Sequence, residues 1–415
     1  MPSARKIRVA LLCDYMEEQW PSMELVGEMI AEHLRRDQSA SVDVTRIVPS
    51  FHARARHVPL IGGGSAARRV DLLSNRFADY PRFAARLAAE GRFDLFHVTD
   101  HSYAQLVHAL PAARTVVTCH DLDTFRCLLA PEREPRPLWF RLMASRILRG
   151  FRKAAVVACD SDATRAAVLD AELLPAGRLR TVHLGTHPEC TPESDPVADA
   201  RAVAWLGPRR DEAPELLHVG SNIPRKRVDV LLATFARAKK AIPGARLVKI
   251  GGPFEGDLGA RARELGVLDA CVFVPQLSMR DSRDRAALAA VYRRASLLLQ
   301  PSDAEGFGLP VVEAMACGIA PLVSDIPVLR EIGGGAASYA PVGNVDAWAE
   351  STLRLLAERQ ADAEAWRRRR SAVIERSRVF RWSTHAASLV EIYRELVEGS
   401  FAAGSVEAVA GKTST

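Results

Sequence analysis

The stretch from Ala295 to Ser324, ASLLLQPSDAEGFGLPVVEAMACGIAPLVS, leaves little freedom in how this chain can fold. ASLLLQPS is a short unbroken apolar run that ends in a turn, which suits a buried parallel strand better than a surface helix. DAEGFGL follows as a loop, and its Gly306 and Gly308 permit backbone conformations and close approaches that a side chain would block. Pro310 fits the first position of a helix, where its missing N–H is no loss, and the helix is predicted from about Pro310 to Cys317. Gly318 then stops it in a left-handed cap, and IAPLVS is the next buried strand. Such a unit puts the loop at the carboxyl edge of a parallel sheet, where a helix start favours a bound phosphate.

Two carboxylates flank that anion site. Glu305 lies in the loop, and Glu313, eight residues on, is expected in the first helical turn. Complementing the helix dipole would account for Glu313 by itself, but not for Glu305. Carboxylates accept paired hydroxyls, so a phosphate held between two of them suits a ligand with a sugar on each side, a nucleotide sugar.

The segment EGFGLPVVEAMACG resembles the Glu, seven residues, Glu motif of the retaining family 4 glycosyltransferases. That family has the GT-B fold, so the expected class is α/β with two Rossmann-like α/β/α domains facing one another across a cleft. The resemblance implies that Glu305 contacts the donor sugar and Glu313 the ribose hydroxyls. It also puts the backbone of Gly306, Phe307, Gly308 and Leu309 against the diphosphate. The loop IPRKR resembles the family's P-R-K segment, which places Arg225 and Lys226 on the departing diphosphate. Arginine would serve there through bidentate contacts and lysine as a point charge. TCHDLD resembles the family's histidine-aspartate pair, which implies that His120, with Asp121 beside it, reaches the donor sugar and the incoming acceptor. A histidine that merely satisfies a loop carbonyl is the plain alternative for His120. The resemblance is strong from Glu215 to Leu396 and weaker but continuous from Lys6 to Gly185.

With 415 residues, 48% of them hydrophobic, the chain can bury a core in each of two or three domains. It has no apolar run of membrane-spanning length, and the apolar start of MPSARKIRVALLCDYM is short and reads as a strand, so a cytoplasmic location is expected. Seven cysteines without metal-ligand spacing are expected to be reduced thiols, most of them buried. The net charge of +6 comes from 56 basic and 50 acidic residues spread along the chain, unlike the clustered charge of a nucleic-acid binder. It suits a donor with two phosphates, an anionic membrane surface, or no more than an arginine-rich composition.

In chain order, KIRVALLCDY is predicted as the first strand and PSMELVGEMIAEHLRR as the first helix, capped near Ser22. MEEQWP between them is expected to shape an acceptor pocket, and an ordinary loop is the plain alternative. Residues 51–85 read as irregular, with IGGGSAARR a surface loop. FDLFHVTD is a strand that delivers His97, Asp100, His101, Ser102 and Tyr103 to a sheet edge. The D-x-D strings at Asp121–Asp123 and Asp160–Asp162 follow strands, and no metal site is expected at either. PRPLWFRLMASRILRGFRK interleaves apolar residues with arginines, and at helical spacing Trp139, Met143 and Ile147 share a face. The plain reading is a helix packed on its own domain with a solvated arginine face, and the alternative is a helix lying on an anionic membrane.

The expected organisation is an acceptor-side domain over 1–190, a connection over 191–214, and a nucleotide-sugar domain over 215–380. A helix over 381–398 would brace the first domain, and a disordered tail would cover 399–415. By resemblance, Pro275 to Leu277 face the nucleobase. The activity this implies is transfer of a hexose from a nucleoside diphosphate sugar to a hydroxyl on a glycan, glycolipid or small molecule. Retention of the anomeric configuration is expected, with no resident cofactor or metal. Contact with the inner face of the membrane, through a lipid-linked acceptor, stays open. So do a phosphorylase or sugar-nucleotide epimerase on the same fold, and a catalytically silent binding protein.

Overall fold

The computed structural model describes residues 5–55, 64–208, 213–275, 277–278 and 281–399. The chain divides into two compact units, one formed by residues up to Leu184 together with those from Trp382 onward, the other by Gly185–Arg381.

The first unit is built on a six-stranded parallel sheet. Its strands are β1 (Ile7–Leu12), β2 (Val42–Ile47), β3 (Leu95–Val98), β4 (Thr115–Cys119), β5 (Val156–Cys159) and β6 (Leu179–Thr181), in the order β2-β1-β3-β4-β5-β6. TVVTC and VVAC are buried at every position, so both faces of these strands are covered, as an unbroken apolar run requires. Leu12, Phe96, Val98, Val117 and Phe151 belong to the core that results. The last helix, Trp382–Val397, is part of this unit and buries Leu389, Val390, Ile392 and Tyr393. The Tyr393 hydroxyl lies 2.6 Å from Nδ1 of His97, whose Nε2 is 2.8 Å from Thr118 Oγ1.

Residues 65–89, which begin inside the 51–85 stretch read as irregular, are helical instead: Ser65–Ser74, a π-turn over Asn75–Asp79, then Tyr80–Ala89. The pattern was hidden because two inward positions are polar. Asp71 accepts from the backbone N–H of Arg54 and Ala55, and Asn75 bonds both ways with the backbone of His52. The Ile61 to Gly63 part of IGGGSAARR lies outside the described residues, as do Gln276 and the tail from Ser400. The first helix begins at Pro21 behind Trp20, with no side-chain cap, so Ser22 is inside it.

The second unit also holds a six-stranded parallel sheet: β7 (Glu215–Val219), β8 (Arg246–Ile250), β9 (Cys271–Phe273), β10 (Leu297–Gln300), β11 (Pro321–Ser324) and β12 (Ser338–Ala340). Their order is β12-β11-β10-β7-β8-β9, the arrangement of a doubly wound nucleotide-binding sheet. The stretch read as a connection carries a helix, Pro196–Leu206, packed against the helix Ser282–Arg294 of the same unit. Asp195 caps it through the N–H groups of Val197 and Ala198. All seven cysteines are free, and six are buried.

Candidate active site

In an open parallel sheet, ligands bind outside the carboxyl ends of the strands where the order of connection reverses. In the second unit that point lies between β7 and β10, which are hydrogen-bonded neighbours. The loop after β7 carries Arg225 and Lys226, and the loop after β10 carries Glu305. The two loops are tied together by the Asp303 N–H to the Arg225 carbonyl, 2.8 Å, and by Arg227 Nη1 to Asp303, 3.0 Å. Arg227 makes that reach from a left-handed backbone, φ 46°.

Glu305 is the hub. Lys226 Nζ donates to both its oxygens at 2.7 and 2.9 Å, and Arg225 Nη1 to Oε2 at 3.2 Å. Gln300 Nε2 and Ser302 Oγ add bonds to Oε1 at 2.8 and 2.7 Å. Burial alone would raise this carboxyl's pKa, but the charges of Lys226 and Arg225 and the donors around it outweigh burial and bring it to about 2. The second carboxylate differs in kind. Glu313 is the fifth residue of the helix Leu309–Ala316, one residue past the first turn in which it was expected, and its described partner is the Tyr292 hydroxyl at 2.8 Å. Burial pushes it up to about 6. At the helix start, Gly308 takes φ +96°. Pro310 brings no N–H and Val311 N–H is bound to the Gly308 carbonyl, so an anion would be met at Gly308 and Leu309.

Three supporting features were not anticipated. Lys249, on β8 and fully buried, donates to the carbonyls of Gly220 and Ile250. Burial, with Lys226 nearby, lowers it to about 8. His218 on β7 donates Nδ1–H to the Leu299 carbonyl at 2.9 Å, and burial holds it neutral, near 3. Gly251 packs so closely under Gly220 that a Cβ there would lie 2.2 Å from the Gly220 oxygen. A lysine in the middle of the apolar RLVKI was the one legible signal among these.

The first unit gathers a second polar set at its own point of reversal, between β1 and β3. Asp14 follows β1 and Asp100 follows β3. Burial, then the negative charge of Asp100, drives the Asp14 carboxyl far above the usual range. Asp100 is held well below it: burial opposes this, but His101, His120 and the Ser102 bonds prevail. Nearby, Glu18 pairs with Arg76 at 3.0 Å and accepts from the Tyr103 hydroxyl at 2.6 Å.

His120 follows β4 and uses both ring nitrogens internally, Nδ1 to Asp160 at 2.6 Å and Nε2 to the Thr99 carbonyl at 2.8 Å. Burial disfavours its charge, yet Asp160 and Asp100 raise it to about 10. It offers a fixed positive charge rather than a free base. Asp121 accepts from the Asp123 N–H at 2.9 Å. His97, expected among the edge groups, is a neutral core histidine instead. The structure thus brings together Arg225, Lys226, Glu305 and the Gly306–Leu309 turn, with Glu313 on the same helix. It places His120 and Asp121 in the other unit.

Residues 206–373 match the family described as glycosyl transferases group 1, and residues 26–189 match glycosyltransferase family 4. The O-antigen chain mannosyltransferase B of Escherichia coli is 26% identical over 68% of this chain and 71% of its own length. The D-inositol 3-phosphate glycosyltransferases of Mycobacteroides abscessus and Segniliparus rotundus are 31% and 33% identical, over 52% and 49% of this chain. The alignment spans slightly under half the length of those two relatives, 46% and 44%. Among solved structures, sucrose-phosphate synthase from Thermosynechococcus elongatus superposes with a TM-score of 0.70 at 23% identity, covering 95% of this chain and all of that one. Anabaena HepE in complex with UDP and glucose gives 0.67 at 16% identity, covering 94% and 99%.

Proposed function

This chain belongs to the family 4 glycosyltransferases of GT-B fold, and on that premise we propose that it moves a hexose from a nucleoside diphosphate sugar to a hydroxyl acceptor, with the anomeric configuration retained. The observation that carries the reading is the cation pair Arg225 and Lys226 held by buried Glu305 where the second sheet reverses. Glu305 is one anion that these cations hold. An arriving diphosphate offers them a second, and their charge then stabilises the phosphate as the sugar leaves. The turn at Gly308 and Leu309 adds backbone dipoles at the same place. Glu313 receives the ribose hydroxyls. The named relatives, a mannosyltransferase and inositol-phosphate glycosyltransferases, support glycosyl transfer, and one fold neighbour is a complex with UDP and glucose.

The electronics of Glu305 bear on how retention is achieved, not on whether it occurs. A carboxylate that accepts from Lys226, Arg225, Gln300 and Ser302 has little nucleophilicity left, so it is a poor partner for double displacement. Front-face attack, with the leaving phosphate taking the acceptor proton, needs no such nucleophile. Two side-chain cations and a helix start supply the charge stabilisation, so activity should survive EDTA. The acceptor is assigned to the first unit, where Asp14, Asp100 and Glu18 present carboxyls to hydroxyls.

A thermal-shift screen of nucleotide sugars tests the reading: one cognate donor should raise Tm by mass action, and Lys226→Ala should abolish the shift. Proton NMR of the product should show the donor's anomeric configuration. If no nucleotide sugar shifts Tm, the donor assignment fails. Turnover only with sugar plus phosphate, or an epimerised donor without acceptor, would replace transfer with the other chemistry.

A further inference from the structure

The helix Leu138–Lys153 of the first unit is packed at one end and bare at the other. Its second half buries Ala144, Ile147, Leu148, Gly150 and Phe151. Gly150 fits there because a Cβ would fall 2.0 Å from the Ala104 oxygen. The first half leaves Leu138 71%, Trp139 50% and Leu142 60% exposed, with Leu138 and Leu142 the most exposed leucines among the described residues. At 100° per residue these three share an arc of the helix with Arg146, Arg149 and Lys153, and Arg141 and Arg152 flank it. The solvent face is therefore apolar at its first turns and basic further on. From Pro135 to Lys153 there is no acidic side chain. Elsewhere, exposed large apolar residues such as Val70, Val197 and Val379 come singly.

We propose that this helix docks the protein on an anionic bilayer. Leu138, Trp139 and Leu142 enter the boundary between headgroups and acyl chains, and Arg146, Arg149, Arg152 and Lys153 run along the lipid phosphates. The helix is about 24 Å long at 1.5 Å per residue, so lying in the interface plane engages both ends together. Charge complementarity selects the occupant. A second copy would set like charges against each other. An acidic protein would match the arginines, but a bilayer also takes up an exposed Trp flanked by leucines, the residue type that gathers at membrane interfaces. Arg136, stacked over Phe140 at 5.4 Å, continues the basic rim before the first turn.

Flotation of the full chain with vesicles of phosphatidylcholine, alone or mixed with phosphatidylglycerol, tests this. Binding is expected to the mixed vesicles, to weaken as salt rises, and to be much lower without the anionic lipid. The triple variant L138S/W139S/L142S and the triple variant R146Q/R149Q/R152Q should each lose about tenfold in vesicle affinity. All six side chains are exposed or partly so, and an unchanged circular dichroism spectrum and Tm certify the fold. Both variants should keep the wild-type donor-induced thermal shift, since the helix lies outside the donor-binding unit, so this test stands apart from the glycosyltransferase reading. Failure of the wild type to float, or equal flotation of the serine variant, overturns the proposal. So does a wild-type dimer in sedimentation that the serine variant abolishes.

Discussion

A buried carboxylate with two cations on it is held in place by its partners, and removing one partner costs more than removing both. Lys226→Met leaves Glu305 buried with only Arg225 as a charged partner, which should destabilise the protein by about 3 kcal/mol. The double variant K226M/E305Q should recover most of that loss while donor binding stays absent. Urea denaturation and donor titration on the same samples separate the two effects, and equal stability of the single and double variants would deny the pairing. Glu313 makes the opposite prediction. Its folded pKa, about 6, lies above its ordinary 4.5, so its neutral form is favoured on folding. That contribution is fully present below pH 4.5 and is lost as pH rises through 6. Glu313→Gln should therefore raise stability at pH 8 by up to about 2 kcal/mol and change it little at pH 4, while donor affinity falls. Denaturation at the two pH values checks the sign. The sequence marked both glutamates, Arg225 and Lys226 from one motif and one loop. It could not show that Glu305 already holds the two cations, because that contact is made between loops some eighty residues apart.

Elements were legible where their apolar pattern was strong. IRVALL, TVVTC, LLLQ and PLVS read as buried strands, and the turn before Leu309 read as a helix start because glycine and proline fix it. Ser65–Ala89 did not read as helix, since Asp71 and Asn75 hold its inward positions to bind the backbone of residues 52–55. Pro196–Leu206 was missed for lack of periodicity, as a short helix that buries mainly Ala198, Ala202 and Leu206 gives little. The supports of the donor loop are also matters of packing rather than pattern. Gly251 lets β8 pass beneath Gly220, and its φ of +103° is itself closed to side chains. Gly251→Ala should cost about 2 kcal/mol or more and displace the loop that carries Arg225 and Lys226. The expected result is a lower Tm together with weaker donor binding. A variant with unchanged donor affinity would mean that the loop does not depend on this close approach.

The chain leaves the first unit at Leu184 and re-enters it at Trp382, so one unit is continuous and the other is assembled from two distant pieces. This makes the last helix part of the first unit's core. It packs on the helix Pro21–Asp37, and Tyr393 reaches the buried His97. Arg394 bonds Ser41 at 2.6 Å, and Glu395 pairs with Arg180 at 3.1 Å. Ending the chain after Arg381 would uncover Leu389's and Ile392's packing partners as well as the His97 nitrogen, and a parallel sheet exposed on one face is not stable in water. The two units need not unfold as one, so the truncation should act on them unequally. The first unit is expected to lose its cooperative melting transition, while the second, complete within Gly185–Arg381, keeps its own and keeps the shift caused by a nucleoside diphosphate. Tyr393→Phe provides the graded control, losing about 1 kcal/mol by removing one buried hydrogen bond without uncovering the sheet. Calorimetry of the full chain, the truncation and the tyrosine variant, each with and without the diphosphate, distinguishes these outcomes. Loss of the diphosphate shift on truncation would show that the second unit needs the first in order to fold.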